Sequence, residues 1–142
     1  MSLSLDYTFS MNFIDHPEIK KLLASHLKNQ CGDLILCRCC NNPITSHHDQ
    51  AIIGNNSHHS FTNPSHVTYH LRCFNNAHGC AIVGTPTQQH SWFAGCRWQL
   101  SYCMECSEQL GWYYQYDRYQ HSQRSFFGLI AGRLINAIGK TC

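Results

Sequence analysis

Two Cys-x-x-Cys pairs and three tryptophans carry most of the chemistry available to this chain. The pairs are Cys37-Arg38-Cys39-Cys40 and Cys103-Met104-Glu105-Cys106. Each sets two thiolates on one tight knuckle, and four thiolates in a tetrahedron suit a zinc ion at about 2.3 Å per Zn–S bond. Residues 41–102, 62 in all, separate the pairs, more than a zinc ribbon allows. The metal is therefore expected to tie two separate hairpins together. Four sulfurs leave no open coordination position, so this Zn2+ is expected to be structural. Spacing leaves three alternatives open: Cys39 in place of Cys40, a disulfide within each pair, or an iron–sulfur centre.

The tryptophans are Trp92, Trp98 and Trp112. Trp92 follows His90-Ser91 and precedes Phe93-Ala94-Gly95, which puts its backbone in a loop. Trp98 opens a strand, and Trp112 follows Gly111 just past the second knuckle. Buried indoles are bulky and need a partner for the N–H. The rings are therefore either ordinary core or the walls of a small aromatic box. Such a box binds compact ligands by shape. It takes a cation over its ring faces, or a flat neutral ring whose polar edge meets the backbone. Methyl-ammonium cages commonly recruit a carboxylate, and residues 90–102 contain no Asp or Glu.

The elements that must position these groups read as mostly β, with one helix in front. Asp15 as N-cap, Pro17 in the first turn and Glu18 open a helix over 15–30, with Ile19, Leu22, Leu23, His26 and Leu27 along one face. Cys31-Gly32 ends it. Beyond Asp33, the strand candidates are Leu34–Leu36, Ala51–Ile53, His66–Phe74, Ala81–Val83, Arg97–Tyr102 and Trp112–Tyr116. Asn63-Pro64, Gly84-Thr85-Pro86 and Phe93-Ala94-Gly95 read as turns. Ser125–Ile138 reads as an aromatic strand followed by a short helix or tail.

Composition bounds the function. The chain has 142 residues, 13% of them charged, and a formal net charge of +2. That is too little clustered Lys and Arg for broad phosphate binding, so nucleic acid is not an expected partner. No stretch is long and apolar enough to span a membrane. Of ten cysteines, six lie outside the pairs: Cys31, Cys39, Cys73, Cys80, Cys96 and Cys142. An even remainder fits up to three disulfides, which favours a secreted protein over the cytoplasmic alternative. The first residues do not read as a signal peptide, so secretion implies a leader already removed.

Cys37-x-x-Cys40, Asn63-Pro64, Gly84-x-Pro86, His90-Ser91-Trp92-Phe93-x-Gly95-x-x-Trp98, Cys103-x-x-Cys106, Gly111-Trp112 and Phe126-Phe127-Gly128-Leu129-Ile130 together resemble the CULT domain, the thalidomide-binding domain of cereblon. The resemblance runs from about residue 35 to 137. It implies a domain at 35–138, an N-terminal extension at 1–34 and a tail at 139–142. The implied fold is a β-tent of two antiparallel sheets pinned by a four-cysteine zinc site. The implied ligands are cyclic imides: glutarimide and thalidomide-type compounds, uracil-like rings, and peptide ends bearing a cyclised Asn or Gln. By motif position, Trp92, Trp98 and Trp112 are the walls, and Tyr114 stands where the family usually has Phe. His90 and Trp92 meet the imide edge mainly through backbone groups, Asn63 caps the open side, and Ser91 and Pro64 are further expected ligand-binding residues. The expected protein is a monomeric, non-enzymatic binding module. The family's ligase adaptor carries a further domain, so adaptor binding is not expected from this chain. Cys80 and Cys96 are a possible disulfide. The competing readings are a β-tent methionine sulfoxide reductase using Cys73, Cys80 or Cys96, and a cage for a methylated ammonium.

Overall fold

The computed structural model describes residues 31–117 and 124–137. The helix expected over 15–30 lies outside them. Asp33–Ala137 form one compact unit, whose described residues make nine antiparallel strands in two sheets. The smaller sheet has the order β2-β1-β9, from β2 Pro43–Ser46, β1 Leu34–Cys37 and β9 Leu134–Asn136. The larger has the order β3-β4-β8-β7-β6-β5. Its strands are β3 His58–Thr62, β4 Thr68–Phe74, β5 Cys80–Thr87, β6 Cys96–Cys103, β7 Gln109–Tyr116 and β8 Ser125–Ile130. This is the two-sheet arrangement the sequence led us to expect.

Each face of the larger sheet buries its own core, because residues paired across strands share a face. On one face, Phe74, Cys80, Cys103, Leu110, Phe127 and Leu129 pack against Ile35, Ile44 and Leu134 of the smaller sheet. On the other, Leu71, Cys73, Cys96, Tyr114, Phe126 and Ile130 form a second cluster. Ala51, Ile53 and Phe93 close over it from loops. The register of this face is direct. Trp98 stands opposite Tyr114, which stands opposite Phe126, and Leu100 stands opposite Trp112, which stands opposite Gly128.

Two glycines permit the close approach this requires. A Cβ on Gly111 would land on the Gly128 carbonyl, so only glycine lets β7 and β8 pair there. A Cβ on Gly128 would sit 3.0 Å from Tyr114 Cε2 and 3.3 Å from Leu71 Cδ1. Gly128 is the gap into which the Tyr114 ring fits.

Several expectations need correction. Ala51–Ile53 is not a strand: Gln50 and Ile53 make only isolated bridges, and Ala51 and Ile53 plug the core from a loop while Ile52 faces outward. Gly84-Thr85-Pro86 is not a turn but an irregularity within β5, where pairing skips from Val83 to Thr87. The strands β2 and β3 were not expected at all, and β9 stands where a short helix or tail was expected to follow the aromatic strand. Cys39, Cys73, Cys80 and Cys96 are free thiols. Cys80 pairs with Cys103 at one end of β6 and Cys96 begins the other end. Seven residues of strand put about 20 Å between them, beyond any disulfide.

Candidate zinc centre and aromatic pocket

The two knuckles are built alike. After Cys37, the Asn41 N–H donates to the Cys37 carbonyl at 2.8 Å and the Cys37 N–H donates to the Asn42 carbonyl at 2.8 Å. After Cys103, the Ser107 N–H donates to the Cys103 carbonyl at 2.9 Å and the Cys103 N–H donates to the Glu108 carbonyl at 2.8 Å. The residue that turns each chain back is left-handed, Asn41 at φ 63° and Ser107 at φ 64°. Backbone N–H groups of Cys39 and Cys40 reach the Cys37 sulfur, and those of Glu105 and Cys106 reach the Cys103 sulfur. Burial opposes these bonds, which favour thiolate, at both cysteines: it prevails at Cys37, whose thiol is raised, and is outweighed at Cys103, whose thiol falls to about 7.

The four sulfurs of Cys37, Cys40, Cys103 and Cys106 all lie within 4.8 Å of one another. The Cys37–Cys106 and Cys40–Cys103 sulfurs are 3.7 and 3.6 Å apart. A tetrahedron with Zn–S bonds of ~2.3 Å has edges of about 3.8 Å, so the residues fit the ion. Cys37 ends β1 in the smaller sheet, and Cys103 ends β6 in the larger one. The zinc therefore joins the two sheets. Cys40, not Cys39, supplies the second sulfur of the first knuckle.

The second feature is a pocket of about 150 Å³ lined by Asn63, Pro64, Tyr69, His90, Trp92, Trp98, Trp112 and Tyr114. All three indoles border it. Trp92 and Trp112 meet edge to face, centroids 5.0 Å apart and planes at 73°. Tyr69 bridges them, edge to face on Trp112 at 5.5 Å and tilted against Trp92 at 5.8 Å. Behind Trp92, Phe61 stacks at 5.1 Å. Each such aromatic pair adds about 0.5–1.5 kcal/mol beyond burial, so the walls hold one another in place. Trp98 is fixed differently, its Nε1–H donating to the Gln89 carbonyl at 2.8 Å.

Sequence reasoning missed Tyr69, and β-alternation could have found it. It lies two residues before buried Leu71 on β4, opposite Phe61. Ser91, by contrast, is not in the lining. Its hydroxyl donates to the Phe93 carbonyl at 3.0 Å, which shapes the loop.

That loop, residues 88–95, is tied down at both ends. The Ser91 N–H donates to the Gln88 carbonyl at 3.1 Å, and the Cys96 N–H donates to the Phe93 carbonyl at 3.1 Å. The Asp117 N–H donates to the Gly95 carbonyl at 2.9 Å. The Asp117 carboxylate takes Gln88 Nε2 and pairs with Arg97 at 2.6 Å. His90 is left-handed at φ 58°, an uncommon conformation for a residue with a side chain. Among the described residues, neither the His90 carbonyl nor the Trp92 N–H makes a hydrogen bond. Opposite the loop, Asn63 closes the β3–β4 hairpin: its Oδ1 accepts from the Val67 N–H at 2.9 Å.

The remaining thiols do not look reactive. Burial pushes Cys73 up to about 12. Burial, with the charge of Asp117, pushes Cys96 up to about 11. Burial raises Cys80 to about 11. A nucleophilic cysteine needs the opposite shift.

A zinc-pinned β-tent with an aromatic pocket on one face is the class that fold and site define. The chain belongs to the Yippee-Mis18 family, described as Yippee zinc-binding/DNA-binding and Mis18, centromere assembly, whose profile matches residues 34–137. It is 25% identical to protein cereblon of Danio rerio over 115 residues, 79% of this chain and 26% of that protein. It is 28% identical to protein cereblon of Drosophila grimshawi over 130 residues, 85% of this chain and 18% of that protein. The chain thus spans about a quarter or less of the length of these relatives.

Proposed function

We propose that this domain is a non-enzymatic binding module that takes one six-membered cyclic imide between Trp92, Trp98 and Trp112. One observation carries the reading: the indole-walled pocket is bordered by a loop whose His90 carbonyl and Trp92 N–H are both unengaged among the described residues. An imide edge presents acceptor, donor, acceptor, and those two backbone groups complement a donor and an acceptor of that edge. Size supports the same reading. A cavity of about 150 Å³ is known to hold benzene, and this pocket is of that volume. Free glutarimide, a uracil-like ring, or a peptide end cyclised at Asn or Gln each presents such an edge. Asn63 and Pro64 flank the opening, where a substituent or peptide would leave.

A cage for methylated ammonium is less well supported, because no carboxylate is among the lining residues. A thiol-based reductase is opposed by the burial of Cys73, Cys80 and Cys96. The test is a titration followed by tryptophan fluorescence. Glutarimide is expected to quench saturably, and trimethyl-lysine is expected to do nothing at the same concentration. Quenching by trimethyl-lysine alone would reverse the assignment.

A further inference from the structure

Tyr69 and Leu71 turn one face of β4 toward the pocket and its core, so His70 and Arg72 lie on the other. There Arg72 is half-buried and carries its charge without a counter-ion. The guanidinium lies over the Phe74 ring, 5.3 Å from the centroid, and its Nε–H is enclosed with no acceptor. Among the described residues no carboxylate pairs with it. Burial works against the charged form, yet a guanidinium keeps its proton. A buried charge is ordinarily paired. The Phe74 ring answers only one face of this one and leaves its N–H edges over.

The residues around Arg72 are donors too. His58 stands directly opposite it on β3, and His70 stands opposite Ser60. The three side chains therefore share one ladder, with about 5 Å between opposite Cβ atoms and roughly 7 Å on the diagonal. Gln50 Nε2 donates to the Ser57 Oγ at 2.7 Å, and that Oγ lies 3.0 Å from His58 Nδ1. With Gln50 donating, the serine hydrogen goes to Nδ1, and the neutral ring carries its own hydrogen on Nε2, free to donate. Ser60 Oγ makes the same kind of contact with His70 Nδ1, at 2.7 Å. Both histidines are exposed, and neither β3 nor β4 contains an acidic residue.

We propose that Arg72, His58 and His70 form an oxyanion site on the face of the β3–β4 hairpin opposite the indole pocket, and that its ligand is a phosphate group. Three donor-bearing side chains at the corners of a triangle match the three free oxygens of a phosphate or a phosphoester. A carboxylate offers only two. Hydrogen bonds from a guanidinium to an anion are among the strong ones, and the ligand supplies the counter-ion that the chain itself withholds from Arg72. One such site holds one phosphate and does not track a nucleic-acid backbone, which takes many cations. The site shares no residue with the indole pocket, so it stands or falls apart from the imide reading.

The experiment titrates the zinc-bound protein with inorganic phosphate and follows backbone and arginine Nε–H groups by NMR, with sodium chloride at matched ionic strength as the control. Phosphate is expected to shift Arg72, His58 and His70 saturably in the millimolar range, and chloride is expected not to. Arg72→Gln is expected to weaken phosphate binding by at least about tenfold, and His58→Ala by about threefold. His58 is exposed, so its variant keeps the test decisive if Arg72→Gln fails to fold. Acetate is expected to bind more weakly than phosphate. Phenyl phosphate reports the source: binding equal to that of phosphate supports a phosphoester on a partner molecule, and binding of the inorganic ion alone supports a free-ion ligand. Shifts that never saturate, or that chloride reproduces, overturn the site. Acetate binding as tight as that of phosphate overturns the assignment of the ligand. Unchanged affinity in His58→Ala and Arg72→Gln overturns the placement.

Discussion

Trp112 touches two other walls of the pocket, Trp92 and Tyr69, whereas Trp98 is anchored by a hydrogen bond to the loop. The two indoles should respond differently to substitution. Trp112→Ala is expected to weaken imide binding by at least about 100-fold, since it removes one wall and the support of two more. Trp98→Phe keeps an aromatic face but releases Gln89, and a loss of roughly tenfold is expected from one hydrogen bond. Fluorescence titration of both variants checks the order, and equal losses would contradict it. The buried thiols give a prediction in pH. Cys73 and Cys96 rise from an ordinary 9.0 to about 12 and about 11 on burial. A group whose folded value is raised stabilises the fold below its unfolded value and loses that contribution as pH climbs toward the folded one. Stability should therefore fall between pH 9 and 11 by about 1.4 kcal/mol per pH unit for each such thiol. Thermal melts across that range should show the decline, and Cys73→Ala should show a shallower slope.

Strand β7 joins the two halves of the architecture, with Leu110 and Tyr113 toward the smaller sheet and Trp112 and Tyr114 toward the pocket. Gly111 sits where β7 must come closest to β8. Gly111→Ala is expected to destabilise the domain by about 3 kcal/mol or more, because an immovable carbonyl, not a flexible side chain, occupies the space. Chemical denaturation measures this, and a change below about 1 kcal/mol would contradict the packing argument. The β6 strand was legible in the sequence because its apolar residues alternate between two cysteines, and β7 because an aromatic run follows Gly111 just past the second knuckle. β3 was not, since His58-His59-Ser60-Phe61-Thr62 carries only one apolar side chain. His59 faces inward there as a half-buried ring, its Nε2 lying 3.0 Å from the carbonyls of Ile53 and Asn56. β2 was hidden by Pro43 at an edge, where proline is tolerated. Ala51–Ile53 misled in the opposite direction. A short apolar run has the same composition whether it pairs as a strand or plugs a core from a loop.

At the scale of the molecule, the metal joins a small sheet to a large one across 62 intervening residues. Cys103 ends β6 and Cys106 lies in the turn into β7, the hairpin that carries Trp98 and Trp112. Removing zinc with a strong chelator is expected to separate the knuckles and lower the melting temperature by at least 10 °C. Substituting Cys40→Ser should have a similar effect. Melting unaffected by chelation would show that the sheets hold without the ion. The four-cysteine set was readable from spacing because a knuckle is a local motif. The free state of Cys39, Cys73, Cys80 and Cys96 was not readable, since counting cysteines cannot distinguish a buried thiol from half of a disulfide.

The position of Trp98 and Cys103 on one strand has a thermodynamic corollary. About 17 Å of β6 separates the pocket wall from the metal ligand, and the two are parts of one rigid hairpin. If ordering the hairpin around zinc sharpens the pocket, then filling the pocket must tighten the hold on zinc by the same factor, because coupling between two bound species is reciprocal. A chelator competition run with and without a saturating imide would read that factor directly. Zinc supply would then set how much of this protein is competent to take up an imide, and imide supply would set how readily the protein gives up its metal.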